Sequence, residues 1–146
     1  MHSRAQAETF PAIADQVRIV GNGIAVERYD VHVTADQPAY LGFIGRISPE
    51  KGISDVFALS EATGMPVKVW GLMQDRDCWT AAQLRHPTAQ VSYEGFLPTD
   101  ALQAAVGGCA ALLMTPKWVE AFGNVAIEAM ATGVPVIAYR RGGPAE

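Results

Sequence analysis

From residue 40 to residue 138 the sequence alternates short apolar runs with helix-length amphipathic segments. The short runs are typical of β-strands, and apolar side chains at intervals of three and four residues indicate helices between them. We predict strands at residues 40–44, 66–70, 89–93, 110–115 and 134–138, with helices at residues 53–63, 75–84, 99–107 and 124–132. Such regular alternation excludes a sandwich or a helical bundle. It predicts an α/β fold with a doubly wound parallel sheet.

The segment before residue 40 is less regular. Apolar residues in loose helical spacing predict a helical lead-in over residues 1–16, which Pro11 interrupts. We predict a short strand at residues 17–20 and a turn at Gly21-Asn22-Gly23, so that residues 17–146 form the α/β domain. Only residues 140–146 follow the last strand, where a sheet of this kind usually packs a further helix. We therefore expect the fold to be truncated at its C-terminal end.

The composition excludes several classes of partner. A formal net charge of -4, with no run of Lys or Arg, argues against nucleic acid or an anionic membrane surface. The sequence shows neither a secretory signal nor an uninterrupted transmembrane segment. Cys78 and Cys109 lie far apart and read as reduced thiols, and the scattered histidines do not predict a metal site. We expect a cytoplasmic protein.

The unusual residues follow the predicted strands, at the sheet edge where ligands of such folds bind. The stretch Gly45-Arg-Ile-Ser-Pro-Glu-Lys-Gly52 combines Arg46, Lys51 and a predicted helix start with Ser48 as N-cap. A guanidinium, an ammonium and a helix N-terminus suit a diphosphate. The alternative is a solvated turn in which Glu50 pairs with Arg46 or Lys51.

Two glutamates stand out near the end of the chain. Glu128 is the only ionisable side chain from Ala121 through Tyr139, and a buried carboxylate without partners costs several kcal/mol. It either accepts hydrogen bonds from neighbouring backbone amides or serves a ligand. Glu120, just before a predicted helix, either pairs with Lys117 at the surface or serves a ligand as well. Ionised carboxylates are acceptors only, which suits the hydroxyls of a sugar.

Five stretches in this order resemble the C-terminal domain of the group 1 (family 4) glycosyltransferases of the GT-B fold. They are Asn22-Gly23-Ile24, residues 45–52, Tyr93-Glu-Gly-Phe96, residues 120–136 and Gly142-Gly143. The resemblance covers nearly the whole chain from about residue 17. It implies a Rossmann-like domain that binds a nucleotide-diphosphate sugar, UDP- or GDP-linked, without a metal or other cofactor.

The resemblance also implies roles for single residues. Arg46 and Lys51 would neutralise the diphosphate and stabilise the leaving nucleotide, and Glu120 would contact hydroxyls of the donor sugar. These three are the expected catalytic residues. Glu128 would bond the ribose hydroxyls. Two further groups would line the donor: the backbone amides of Phe122, Gly123 and Asn124 at the sugar and phosphates, and the turn of Gly95, Phe96 and Leu97 along the base. Lys117 and Trp118 are expected to influence which sugar fits.

At the level of the whole protein, the resemblance implies a retaining hexosyltransferase. An N-terminal acceptor domain of the same protein would complete the active site, so the chain by itself is expected to be inactive. Two alternatives stay open from the sequence. One is a sugar-nucleotide epimerase of the GT-B type, and the other is a non-catalytic α/β nucleotide-binding module.

Overall fold

The computed structural model describes residues 1–146, apart from the side chain of Ala14. The strands are β1 (Leu41–Ile44), β2 (Val67–Trp70), β3 (Val91–Gly95), β4 (Ala111–Met114) and β5 (Val136–Ala138). The α-helices are α1 (Arg4–Glu8), α2 (Ile53–Thr63), α3 (Arg76–Arg85), α4 (Thr99–Gly107) and α5 (Asn124–Ala131). All strand pairs are parallel, in the order β3-β2-β1-β4-β5. The predicted α/β fold with a parallel sheet is confirmed.

The elements before β1 differ from the prediction. α1 is followed by a 3-10 helix at Pro11–Gln16. The helical lead-in is therefore interrupted near Pro11, as predicted. The predicted strand at residues 17–20 is wrong, because this segment is irregular and Ile19 and Val20 are exposed. Its apolar residues do not lie beside another strand, and a β-pattern without a neighbour to pack against does not form a ladder.

Helices cover both faces of the sheet, which makes the fold doubly wound. On one face, Phe43 and Leu113 pack with Val56 and Phe57 of α2 and with Ala82 of α3. On the other face, side chains of the sheet pack against α4 and α5 in a second buried cluster of Tyr40, Trp70, Val106, Cys109, Leu112, Ala129 and Val134. Successive strand residues point to opposite faces, so β4 is buried along its whole length, as its unbroken apolar pattern predicts.

The strand order reverses at the centre of the sheet. From β1 the chain moves outward through β2 and β3, and then crosses back to β4 and β5 on the other side. The loops after β1 and β4 therefore diverge and leave a crevice between them at the carboxyl edge. Such a reversal point is where doubly wound sheets bind ligands. The loops in question hold residues 45–52 and 115–123.

Candidate functional site

Lys51 and Glu120 meet across this crevice. Lys51 lies in the loop after β1 and Glu120 in the loop after β4, and Lys51 Nζ donates to Glu120 Oε2 at 2.7 Å. The two side chains are only 23% and 13% exposed. Trp118 completes the cluster, because its Nε1 donates to Glu120 Oε2 at 3.1 Å and its ring centroid lies 4.9 Å from Lys51 Nζ. A partly buried cation and anion thus face each other at the predicted ligand edge.

The loop that carries Lys51 is braced against the end of β4. Gly52 has φ of +74°, and a Cβ at this position would come within 1.9 Å of the carbonyl oxygen of Thr115. Only glycine fits both the left-handed backbone and the close approach. The Thr115 hydroxyl lies within hydrogen-bonding distance of the carbonyl oxygens of Lys51 and Gly52, at 3.2 and 3.1 Å. The backbone at Lys51 and Gly52 is therefore held against Thr115.

The loop that carries Glu120 is held from the far end of β5. Gly143 N–H donates to the carbonyl of Glu120 at 2.7 Å, and a Cβ on Gly142 would lie 2.1 Å from the same oxygen. The Gly-Gly pair named in the resemblance therefore lets the chain pass directly over the backbone of Glu120.

A carboxylate on α2 ties the same loop to the sheet. Asp55 Oδ2 accepts from Lys117 Nζ and, at 2.6 Å, from the Tyr139 hydroxyl. Burial alone would raise the pKa of Asp55, but the hydrogen bonds from Lys117 and Tyr139 lower it below its usual value. The alternative of a surface pair between Glu120 and Lys117 is wrong, because Lys117 bonds to Asp55 and Glu120 bonds to Lys51.

A cleft opens beside the Lys51–Glu120 pair. This Lys51 cleft has a volume of about 270 Å³, and its walls include five predicted donor contacts, namely Lys51, Glu120, Phe122, Gly123 and Asn124. The last of these begins α5, whose N-terminus has no side-chain cap. Uncapped N–H groups at a helix N-terminus bind anions. Asn22 Nδ2 donates to Asn124 Oδ1 at 2.5 Å and brings the Asn-Gly motif to the same cleft.

Arg46 lies outside the Lys51 cleft. Its guanidinium is half exposed and pairs with Glu50 at 3.5 Å, and it donates to Gln74 Oε1 at 3.1 Å. Arg46 thus makes the Glu50 pair of the solvated-turn alternative, and its role at the diphosphate stays a prediction. Ser48 occupies the predicted N-cap position, but of a single 3-10 turn at Pro49–Lys51, and its buried hydroxyl makes no cap bond. The turn stops at Gly52, and α2 begins one residue later.

Arg46 instead lines a second cleft with Phe96 and Leu97. This Phe96 cleft has a volume of about 210 Å³, and Trp70 and Leu72 belong to its mostly apolar wall. Phe96 is 74% exposed there. The preceding Gly95 ends β3, and its carbonyl accepts the N–H of Gly71 at 2.9 Å. The predicted turn of Gly95, Phe96 and Leu97 thus brings an exposed aromatic ring to the carboxyl edge.

Glu128 lines a third cleft, against Tyr29, Gln103 and Thr132. Within the described part of the chain its carboxylate accepts no hydrogen bond, so the backbone-amide alternative is wrong. Burial raises the pKa of Glu128, and burial followed by the charge of Glu128 raises the pKa of Tyr29. This Glu128 cleft measures only about 20 Å³, which is room for one water or hydroxyl group.

The three clefts share Ile44, the last residue of β1. The predicted site residues therefore lie around one point, but in three separate groups. Trp118, Thr115 and Tyr29 contribute to the site without a motif that predicts their contacts. Only for Trp118 did the sequence offer a signal, through its position two residues before Glu120.

Two features are absent from the described residues. No three His, Cys, Asp or Glu side chains are grouped as a metal site requires. No helix is both long and apolar enough to cross a membrane.

Comparison with known families bears directly on this site. The family model of the glycosyl transferases group 1 matches residues 26–146. This range includes the lining residues of all three clefts apart from His2 and Asn22 of the Lys51 cleft. The chain belongs to the group 1 glycosyltransferases. Its similarity to curated members is moderate. The 2-deoxystreptamine N-acetyl-D-glucosaminyltransferase of Streptomyces fradiae is 32% identical over 152 residues, which is 96% of this chain and 35% of that enzyme.

A second curated member, the 2-deoxystreptamine glucosyltransferase of Streptomyces kanamyceticus, is 37% identical over 109 residues. These cover 70% of this chain and 28% of that enzyme. The chain thus spans about a third of the length of the curated group 1 glycosyltransferases it matches.

Solved structures show the same fold. A glycosyltransferase involved in avilamycin A biosynthesis, AviGT4, superposes with a TM-score of 0.84 at 23% identity, over 98% of this chain and 45% of that one. Alr3699/HepE from Anabaena, solved in complex with UDP-glucose, gives a TM-score of 0.82 at 21% identity, over 99% and 45%. The fold is therefore that of the C-terminal half of GT-B glycosyltransferases, as the sequence predicts.

Proposed function

We propose that this group 1 glycosyltransferase chain binds the nucleotide-diphosphate sugar from which a longer protein transfers the sugar. The observation that carries the proposal is the Lys51–Glu120 pair at 2.7 Å. It joins an ammonium for phosphate to a carboxylate for sugar hydroxyls beside the uncapped N-terminus of α5. Each group alone is common in proteins. Their convergence at the reversal point of the sheet suits a ligand with a diphosphate next to a sugar.

The same groups suit the chemistry of transfer. When the bond between the anomeric carbon and the diphosphate oxygen breaks, the electron pair stays on the nucleotide and its negative charge grows. Lys51 and the N–H groups of α5 would stabilise that charge without rearrangement. Glu120 would accept hydroxyl hydrogen bonds from the sugar. Arg46 would join the diphosphate only after it leaves Glu50 and Gln74.

The nucleotide would extend from the Lys51 cleft past Ile44. The mostly apolar Phe96 cleft, with its exposed ring and the adjacent backbone of Gly95 and Leu97, suits the flat face of a base. The unpartnered carboxylate of Glu128 would accept a ribose hydroxyl, which is the size of group its cleft admits. UDP and GDP both remain candidates for the nucleotide.

The remaining functional statements concern the whole protein. We infer a retaining transferase of the hexosyltransferase type whose second domain binds the acceptor, with the present chain inactive alone. The length comparison supports this, because the chain matches about a third of each curated relative. The two free thiols of Cys78 and Cys109 fit a reducing compartment such as the cytoplasm.

Thermal unfolding with nucleotides tests the donor proposal. A nucleoside diphosphate at ten times its Kd adds about 1.4 kcal/mol to the free energy of unfolding. For a chain of this size, that raises Tm by roughly 3–6 °C. Lys51→Ala removes a charge-assisted hydrogen bond worth about 1.5–3 kcal/mol, so we expect Kd to weaken ten- to a hundredfold. The matched control is Lys68→Ala, since Lys68 lies over the Tyr40 ring and away from the clefts.

A Tm that no uridine or guanosine diphosphate changes would contradict the proposal. Equal weakening of nucleotide binding in Lys51→Ala and Lys68→Ala would also contradict it, because the nucleotide would then not bind specifically at the Lys51 cleft. Transfer itself is measured with the full-length protein and a labelled donor. Label that changes its sugar without any acceptor would identify an epimerase instead.

A further inference from the structure

Trp118 contacts both charged groups of the Lys51 cleft but is not part of its wall. Its indole N–H donates to Glu120 Oε2, and its ring faces Lys51 Nζ. Neither contact follows from the family resemblance. Trp118 is 42% exposed, so burial in the core does not explain why the indole lies here.

The indole N–H decides which oxygen of Glu120 is available. Lys51 Nζ and Trp118 Nε1 both donate to Oε2. Among the described residues no group donates to Oε1. Two donors on one oxygen fix the rotation of the carboxylate, and the second oxygen keeps its lone pairs free to accept a hydroxyl hydrogen. The arrangement readies Glu120 for a sugar before a donor enters.

The indole ring acts on Lys51 instead. An ammonium within about 6 Å of the centroid of a tryptophan ring is attracted by the negative face of the ring. Lys51 has three N–H donors, and Glu120 takes only one of them. The ring therefore helps to keep the ammonium in place while two of its donors stay available for phosphate oxygens.

We propose that Trp118 is the positioning residue of the donor site, with separate effects at its two ends. Its N–H orients Glu120 for the donor sugar, and its ring holds Lys51 for the diphosphate. The inference rests on the proposed function, since it assumes that the cleft takes a nucleotide-diphosphate sugar. Substitution of Trp118 can therefore separate the N–H contact with Glu120 from the ring contact with Lys51.

Two variants separate them. Trp118→Phe keeps a ring and removes the N–H, whereas Trp118→Leu removes both. Isothermal titration of the full-length protein with UDP and UDP-glucose, and with GDP and GDP-mannose, measures each effect. For the pair that the wild-type protein binds, we expect Trp118→Phe to leave the Kd of the free diphosphate within twofold. The Kd of the sugar nucleotide should weaken about five- to tenfold. Trp118→Leu should weaken both ligands.

A double-mutant cycle shows whether the sugar effect passes through Glu120. In a Glu120→Gln background, Trp118→Phe should cause no further loss of the sugar nucleotide, because residues that act as one unit are not additive. Trp79→Phe is the matched control. Trp79 packs edge-on against Phe57, so its substitution should leave the ratio of the two Kd values unchanged.

Equal weakening of diphosphate and sugar nucleotide by Trp118→Phe would overturn the inference, as would full additivity with Glu120→Gln. Both results leave the proposed function standing, because the wild-type protein still binds the nucleotide. A wild-type protein that binds none of the four ligands would overturn the inference and the proposed function together. Circular dichroism on each variant confirms folding, and Trp118→Phe alone decides the sugar effect if Trp118→Leu does not fold.

Discussion

Glu128 is half-buried and lacks a hydrogen-bond partner within the described part of the chain. A carboxylate in such a place disfavours its own ionised form, which is why its pKa is raised. A chain under selection for stability alone would replace it with an apolar residue or supply a donor. The cost is understandable if a ligand hydroxyl is the missing donor.

Glu128→Gln should therefore increase stability and weaken donor binding at the same time. The pKa of Glu128 in the folded chain lies above its ordinary value of 4.5. Its contribution to stability is thus present below about pH 4.5 and is lost as the pH rises through the higher folded pKa. We expect the variant to have a higher Tm than the wild type at pH 7, with the difference shrinking as the pH falls toward 4.5. Calorimetry across this range measures it.

The control for this variant is Glu27→Gln, since Glu27 is an exposed glutamate. It should change neither Tm nor nucleotide affinity. A Glu128→Gln variant that is less stable than the wild type at pH 7 would show that an ionised Glu128 stabilises the fold.

Pairings between charged residues were the part of the site that sequence could not predict. The motifs placed Arg46, Lys51 and both glutamates at one edge of the sheet, and the structure agrees. Nearest neighbours in sequence suggested Glu120 with Lys117, but Lys51 is the actual partner, and it is contributed by the loop of another strand. Which of two nearby lysines reaches a carboxylate depends on how the loops cross, and loop paths carry no periodic pattern.

Among the elements, the loop from β1 to α2 does most to shape the site. It runs through a single 3-10 turn, a left-handed glycine and then a regular helix. Backbone contacts tie it to the loop after β4 at Thr115 and through the bond from Lys117 N–H to the Glu50 carbonyl, at 2.8 Å. The two loops of the crevice therefore behave as one braced unit.

Gly52→Ala should disrupt this unit. The left-handed backbone costs an alanine about 1–2 kcal/mol, and the contact with Thr115 adds to it. We expect the free energy of unfolding to fall by about 2–3 kcal/mol and Tm to fall by roughly 4–12 °C. Nucleotide affinity should also be reduced, because Lys51 shifts. Chemical denaturation and nucleotide titration measure the two effects.

Gly64→Ala provides the matched comparison. Gly64 also has a left-handed φ of +70°, but a Cβ there would meet nothing within 4 Å. Its substitution should lower the free energy of unfolding only by the cost of a left-handed alanine, about 1–2 kcal/mol, and should leave nucleotide affinity unchanged. Equal losses of stability in Gly52→Ala and Gly64→Ala would mean that the close approach of residue 52 to Thr115 does not add to the cost.

Element prediction succeeded where periodicity was long and failed where it was short. The helix at residues 53–63 was predicted with its observed bounds, because apolar spacing and a terminal glycine agree there. The strand pattern at 17–20, with three apolar residues, carried too little information, since a ladder needs a partner strand that sequence does not identify. Predicted strand ends were off by at most two residues, because hydrogen bonding and not hydropathy sets them.

For the molecule as a whole, the order of strands assigns the two sides of the crevice to different parts of the sequence. The loops after β1, β2 and β3 form the Phe96 cleft, whereas the loops after β4 and β5 support Glu120. The alternation of elements predicted this sheet type but not the strand order, which depends on where the chain crosses back. The family resemblance implied a Rossmann-like domain and likewise left the strand order unstated.

The pairing of both site cations has a kinetic consequence. Lys51 is neutralised by Glu120 and Arg46 by Glu50, on a chain with a formal net charge of -4. An approaching nucleotide anion therefore meets little long-range attraction, and diffusional encounter is not steered by charge.

Stopped-flow measurement of tryptophan fluorescence should show an association rate that changes less than about twofold between low and high salt, because there is little long-range attraction for salt to screen. Glu120→Gln uncovers Lys51, so its association rate should fall clearly as salt rises. If the wild type shows that fall instead, the pair is open in solution. With a closed pair, this protein selects its ligand by how slowly it leaves and not by how quickly it arrives.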